Sequence, residues 1–129
     1  MVEGLFSSQN YQIAVAQLEA AHVRHQAIAR NIANINTPGF KRVDLSGQFD
    51  MELKRAVMQG TQPGKTTHLN LTIQQDPNGG PSRPDGNNVR LDKELVEVNR
   101  NALEYRLLTQ RVDGTFKRLK TAITGRASG

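Results

Sequence analysis

Two histidines on the first long segment are the residues whose type and spacing come nearest to a metal site. His22 and His25 stand three positions apart, so a helix would place both imidazoles on one face, with Glu19 as a third ligand. The chain has no cysteine, and the surroundings are poor in carboxylates that could complete the set. The pattern therefore favours packed or interfacial imidazoles, and it predicts neither a metal nor another cofactor.

The sequence supports nucleophilic or acid-base catalysis no better than it supports a metal site. Ser7, Ser8 and Ser46 are not part of a nucleophile elbow, and the acidic residues are spread singly along the helical segments, as on solvated faces. The glycines of DPNGGPSRPDGNN lack the GxxxxGK spacing of a phosphate-binding loop. The inventory therefore predicts a protein that is not an enzyme.

The last segment of the chain has a basic end. The chain carries 17 basic and 12 acidic residues, a net charge of +5, and Asp113 is the only acidic residue between positions 106 and 126. The basic residues there are Arg106, Arg111, Lys117, Arg118, Lys120 and Arg126. Without a paired recognition helix or interleaved aromatic residues, the same charges equally serve the helix dipole and solubility. A basic helical nucleic-acid-binding or adaptor module is therefore the alternative function.

Length and composition indicate one domain with a modest core, since the chain has 129 residues, of which 36% are hydrophobic. The beginning, MVEGLFSSQNYQ, has neither a basic start nor a sustained apolar run. No window approaches the roughly 18 apolar residues of a spanning helix. We therefore expect no cleavable signal peptide and no direct membrane insertion.

Apolar residues recur at alternating steps of three and four in the first third of the chain, which predicts a long helix. It is expected from Ser8 to about Asn36, because Ser7 or Ser8 can cap its start and Pro38 disfavours helical backbone before it. The predicted stripe comprises Tyr11, Ala14, Leu18, Ala21, His25, Ile28, Ile32 and Ile35.

The same alternation in the last third predicts a second helix from Asp92 to Thr124. Asp92 is the expected N-cap, with Leu91 and Val96 as a hydrophobic staple. Gly125 offers a left-handed stop. The stripe comprises Leu91, Leu95, Val98, Ala102, Tyr105, Thr109, Val112, Phe116, Leu119 and Ile123.

The middle of the chain has a different character. Within SGQFDMELKRAVMQG, apolar residues at steps of four (Leu45, Phe49, Leu53, Val57) predict a short helix of at most three turns. HLNLTI alternates apolar and polar residues and predicts a short strand paired with NNVRL. QQDPNGGPSRPDGNN has the composition of a loop.

The lengths of the two helices decide how these segments combine. A compact globule of this size is roughly 36 Å across, whereas the helices would measure about 43 and 50 Å. They are expected to pair with each other or with helices of other subunits. The predicted fold is mainly α: long N- and C-terminal helices form a coiled-coil-like core domain, with a short middle helix and a loop or short β segment between them. Segments 1–42, 43–91 and 92–129 would make one discontinuous domain.

The stretch NIANINTPGFKR, residues 31–42, ends the first helix with an unusual density of amides. Pro38 and Gly39 suit the central positions of a type II turn in TPGF. Asn31, Asn34 and Asn36 weaken a helix, because their side chains compete for backbone groups. We therefore expect at least one of these asparagines to bond backbone groups of the turn or of another subunit.

NIANINTPGFKR, close to the N-terminus and after an apolar-striped helix, resembles the signature of the axial proteins of the bacterial flagellum: rod, hook and hook-associated subunits. The small size and a second block, RPDGNNVRLDKELVEVNRNALEYRLLTQ, are similar to the proximal rod proteins of that family. The residues that match the signature are Asn31, Ala33, Asn34, Asn36, Thr37, Pro38, Gly39, Phe40 and Lys41.

The resemblance implies a structural subunit of the proximal rod of the basal body, which self-assembles through its terminal helices into the drive shaft that transmits torque. It implies export through the flagellar type III apparatus without a cleavable signal, and a position in the periplasmic space. The implied partners are other copies of itself, the adaptor FliE, neighbouring rod proteins such as FlgC, the MS-ring protein FliF and the export apparatus, with no nucleic acid. The residues expected at the assembly interface are Leu18, Ile28, Ile32, Ile35, Leu95, Val98, Ala102, Tyr105, Val112, Phe116, Leu119 and Ile123.

Overall fold

A computed structural model describes residues 9–59 and 69–125. Within these residues the elements are helix α1 (Gln9–Ala33), strand β1 (Val43–Leu45), helix α2 (Gln48–Met58), strand β2 (Ile73–Gln75) and helix α3 (Leu91–Thr124). The predicted mainly α fold is confirmed. Helix α3 has 34 residues, about 51 Å at 1.5 Å per residue, and its pairing with α1 is the most extensive contact between elements.

The seam between α1 and α3 is made of small and polar side chains. Helix α1 buries mostly alanines, among them Ala14, Ala21 and Ala27. Helix α3 buries Glu94, Asn101, Leu108, Thr115 and Leu119. The first four of these follow a heptad step, as expected for two helices in side-by-side contact. The seam therefore excludes water while leaving most of the large apolar residues of α3 outside it.

Helix α2 covers another part of α1. Phe49 and Leu53 form a cluster with Ala16 and Ala20. Partly buried apolar residues surround it: Ile13, Leu45, Leu69 and Leu71. Ala56 is buried and Val57 is exposed, contrary to the predicted step of four. The reason is geometric, because each step of four rotates the side chain by about 40° around a helix of 3.6 residues per turn.

A two-stranded antiparallel sheet crosses the end of this cluster, with Val43 opposite Gln75 and Leu45 opposite Ile73. The predicted strand in HLNLTI is therefore wrong in position and partner, since the strand is Ile73–Gln75 and it pairs with Val43–Leu45 instead of NNVRL. Local hydrogen bonds explain the shift: the Asn70 backbone N–H donates to Glu52 Oε2 at 2.8 Å, which ties that segment to α2. His68 lies outside the described residues.

The helix ends differ from prediction in two places. Helix α1 ends at Ala33 instead of Asn36, and α3 begins at Leu91, with Arg90 as its N-cap instead of Asp92. The extended Arg90 backbone accepts the Glu94 N–H at 3.0 Å, so Asp92 lies inside the first turn and Leu91 is the first helical residue. Gly125 terminates α3 with φ +66°, as predicted. The predicted caps Ser7 and Ser8 lie outside the described residues.

Candidate assembly site

The TPGF turn forms as the sequence predicts. The Phe40 N–H donates to the Thr37 carbonyl at 3.2 Å, which closes the turn. Gly39 has φ +75°, a left-handed backbone conformation that glycine adopts without steric cost. Phe40 is half-buried, and the chain reverses direction here towards β1.

Two of the three asparagines before the turn bond backbone groups. Asn34 Nδ2 donates to the Arg30 carbonyl at 2.8 Å, which also accepts the Asn34 backbone N–H at 3.1 Å, so one residue holds the end of α1 twice. The fully buried Asn31 pairs with both backbone groups of Val43: Oδ1 accepts from its N–H at 2.8 Å and Nδ2 donates to its carbonyl at 2.9 Å. These bonds go to the helix end and to β1, outside the TPGF turn itself. They also explain why α1 stops three residues before the predicted end.

A fourth asparagine, from the second block, holds the turn from the other side. Asn87 Nδ2 donates to the carbonyls of Asn34 and Thr37, each at 2.9 Å, while its Oδ1 accepts the Val89 N–H at 2.8 Å. The residue is fully buried. No role was predicted for Asn87 from the sequence. The feature that could have indicated one is the pair of adjacent asparagines, Asn87 and Asn88, directly after the PDG turn.

The loop before α3 and the segment after the TPGF turn run side by side. Gly39 N–H donates to the Asp85 carbonyl at 2.8 Å, and Arg42 N–H donates to Asn88 Oδ1 at 2.6 Å. A Cβ atom on Gly86 would lie 3.2 Å from Gly39 Cα, so the two backbones approach to a distance that only glycine allows without displacement. The two blocks on which the family resemblance rests are thus in direct contact.

Below this contact lies a buried ion pair. Arg42 Nε donates to Glu94 Oε1 at 2.6 Å, and Asn31 Nδ2 donates to Glu94 Oε2 at 3.3 Å. The Arg42 guanidinium also bonds Asp44 at 3.0 Å and Asp76 at 2.8 Å. Burial alone would lower the pKa of Arg42, but the hydrogen bonds and charges of Asp44 and Glu94 outweigh it and raise the pKa above its ordinary value. Glu94 therefore has a permanent positive charge as its partner.

The residues predicted at the assembly interface occupy different environments. Ile28 and Leu119 are buried inside the subunit. Leu18, Ile32, Ile35, Val98 and Val112 are half-buried, and Leu95, Ala102, Tyr105, Phe116 and Ile123 are exposed. Most of the α3 stripe thus lies on the surface, beside the seam with α1.

A groove of about 340 Å³ lies where the two predicted stripes meet. Helix α1 contributes Ala21, His22 and His25, and α3 contributes Val98, Asn101, Ala102 and Tyr105. The walls are mostly apolar. Both histidines are exposed at its edge, and within the described residues no group of three metal-binding side chains comes together. We call this feature the α1/α3 groove.

Comparison with known proteins agrees with this geometry. The family described as Flagella basal body rod protein matches residues 12–41, which include most of α1 and the TPGF turn. The chain is 35% identical to the flagellar basal body rod protein FlgB of Bacillus subtilis (strain 168), over 94% of this chain and 97% of that protein. It is 33% identical to FlgB of Aquifex aeolicus (strain VF5), over 81% and 84% of the two chains. For FlgB of Escherichia coli (strain K12) the identity is 28%, over 91% and 93%.

The mainly α fold, the TPGF turn and the exposed apolar side chains of α3 indicate the class of structural subunits. The chain belongs to the flagellar basal body rod protein family, with the FlgB proteins as its relatives over most of its length. It is a structural rod subunit of the flagellar basal body, and the comparisons give the nucleic-acid alternative no support. No helix in the described ranges is long and apolar enough to cross a membrane.

Proposed function

We propose that this rod subunit assembles through the stripes of its terminal helices and forms part of the proximal rod. The observation that supports this proposal most is the placement of large apolar side chains on α3. Leu95 is 51% exposed and Ile123 is 66% exposed, at opposite ends of a helix that carries further apolar residues between them. Large apolar side chains exposed along one helix in this way are characteristic of contact sites with other proteins.

Torque transmission requires stiffness, and packed helices supply it. Apolar burial contributes about 25 cal/mol per Å², so a stripe that runs along a helix of 34 residues can hold neighbours firmly. In this proposal the partners are other copies of the chain, the adaptor FliE, rod proteins such as FlgC, the MS-ring protein FliF and the export apparatus. In this proposal the role of the subunit is structural, and its place is in the rod, in the periplasmic space.

The proposal is tested in cells that depend on this subunit for swimming. Leu95→Ser combined with Ile123→Ser removes apolar area at two stripe positions outside the α1/α3 groove. We expect few complete basal bodies by electron microscopy and loss of swimming, because the contact surface is lost while the exposed positions leave the fold intact. Circular dichroism of the purified variant checks the fold. A matched control, Lys93→Ser combined with Thr124→Ser, changes exposed positions of the same helix outside the stripe and is expected to swim.

Normal numbers of basal bodies in the Leu95→Ser/Ile123→Ser strain would contradict the proposal. The stripe would then not be the assembly surface.

A further inference from the structure

Helix α3 carries a second exposed apolar surface, which the predicted stripe does not include. Val96, Leu103 and Leu107 are 61%, 63% and 65% exposed. Val96 and Leu103 each lie two residues after a buried seam residue, Glu94 and Asn101, which is about 200° around the helix. We call these three residues the outer strip. It faces away from α1, so α1 of the same subunit cannot cover it.

The α1/α3 groove is the concave counterpart of this strip. Its lining includes the small side chains of Ala21 and Ala102 and the larger apolar side chains of Val98 and Tyr105. A volume of about 340 Å³ accommodates branched aliphatic side chains of the kind that the outer strip presents. Groove and strip lie on different faces of one chain.

We propose that the outer strip of one copy inserts into the α1/α3 groove of a second copy. The inference rests on the proposed function and specifies which surfaces meet. Because the two surfaces differ, the contact is heterologous: each copy uses its strip towards one neighbour and its groove towards another, and such contacts build either a ring or an open helical filament. The open helical filament is the form that a rod requires.

Charges at the edges of the two surfaces favour a second copy as the occupant. Glu19 is exposed one helical turn before His22, at the end of the groove, and Arg106 is exposed between Leu103 and Leu107 on the strip. Within the described part of the chain, neither Glu19 nor Arg106 forms an ion pair. Docking of strip into groove brings opposite charges to the same rim, where they orient the partners.

Two variants test the heterologous contact by sedimentation velocity of the full chain. Leu103→Ser with Leu107→Ser removes the strip, and Ala102→Trp fills the groove from an exposed position. We expect the unmodified chain to associate with rising concentration and each variant alone to stay monomeric. An equimolar mixture should form dimers and nothing larger, because only one intact strip and one intact groove can pair. Circular dichroism confirms that both variants keep their helices.

A mixture that remains monomeric would overturn the proposal, as would an unmodified chain that stays monomeric at every concentration. Charge-reversal variants give a second test of the association, and they leave the apolar surfaces unchanged. Glu19→Arg or Arg106→Glu alone should weaken association about 3- to 10-fold, more strongly at low salt. The chain with both changes should regain the lost affinity, and a double variant no better than the single ones would contradict the docking.

The same variants in cells separate this inference from the proposed function. Suppose that the Leu103→Ser/Leu107→Ser strain builds basal bodies and swims while the Leu95→Ser/Ile123→Ser strain does not. The assembly function then stands and the strip-to-groove contact is overturned. Loss of rods in both strains is the result that we expect.

Discussion

Glu94 is the residue on which the arrangement of the two sequence blocks depends. Its side chain is fully buried near the start of α3, and its charge is balanced by Arg42, which follows the TPGF turn. A buried carboxylate without a partner is costly, whereas a buried pair with good hydrogen bonds is close to neutral in stability. The pair therefore contributes mainly by fixing where the end of the first block meets the start of α3.

This account predicts that removal of one partner is worse than removal of both. Arg42→Leu leaves the Glu94 charge buried and unpaired, and should lower the free energy of unfolding by about 3–5 kcal/mol. The double variant Arg42→Leu/Glu94→Leu should regain part of that loss, because the fully buried Glu94 charge is gone, while the partly exposed carboxylates of Asp44 and Asp76 still lack their shared cation. Urea denaturation followed by circular dichroism, at concentrations below those of self-association, measures both. Equal loss in the single and double variants would show that packing, and not the charge, is responsible.

The asparagines of the first block offer a matched comparison. Asn31→Ala removes both bonds to the Val43 backbone and the bond to Glu94 Oε2, and it leaves buried groups unsatisfied, so we expect a loss of about 2–4 kcal/mol. Asn36→Ala changes an exposed side chain that makes no hydrogen bond within the described residues, and should cost less than about 0.5 kcal/mol. Thermal denaturation of the two variants compares them directly. A loss at Asn36 as large as that at Asn31 would contradict this assignment.

At the scale of elements, the contact between the TPGF turn and the loop before α3 is defined by two glycines. Gly39 and Gly86 both have positive φ, +75° and +84°, but only Gly86 faces a backbone at contact distance. Gly39→Ala should cost about 1–2 kcal/mol for the left-handed conformation alone. Gly86→Ala should cost about 1 kcal/mol more, because its Cβ displaces the Gly39 backbone. Chemical denaturation measures the difference, and equal costs would mean that the loops separate easily.

The seam between α1 and α3 has an unusual composition for a helix pair. Asn101 Nδ2 donates to the Ala21 carbonyl at 2.9 Å, while its Oδ1 is buried without a partner among the described residues. Glu94 and Thr115 are also buried on this face. Polar residues at such positions fix the register of a helix pair at a cost in stability. The pairing of α1 with α3 is thus specific in alignment and weaker than an apolar seam would be.

The sequence predicted the long helices and the TPGF turn because periodicity and turn chemistry are local. It predicted a strand in HLNLTI but with the wrong position and partner, since strands of three residues carry too little alternation to fix either. It also missed the pair of Arg42 and Glu94, because a glutamate on a helix ordinarily indicates a solvated face. The heptad spacing of Glu94, Asn101 and Leu108 could have indicated the buried face of α3. The neighbouring apolar stripe has the stronger periodicity, so the prediction was based on it.

At the scale of the whole molecule, α3 buries several polar side chains and leaves large apolar ones in solvent. Its buried face carries Glu94, Asn101 and Thr115 beside Leu108 and Leu119, and its exposed surface carries leucine, valine, tyrosine, phenylalanine and isoleucine side chains among the charged ones. A soluble monomer would gain nothing from such a distribution, because apolar area left in water contributes no stability. The arrangement suits a subunit whose main apolar contacts form on assembly.

Thiol accessibility tests this central claim most directly, because the chain contains no cysteine of its own. Leu95→Cys reports on the stripe, and Asn78→Cys in the exposed loop after β2 serves as the control. Both should react rapidly with a maleimide in the free subunit. In isolated basal bodies we expect the cysteine at position 95 to be protected while the cysteine at position 78 still reacts. Equal and rapid labelling of position 95 in free subunits and in assembled rods would contradict the account.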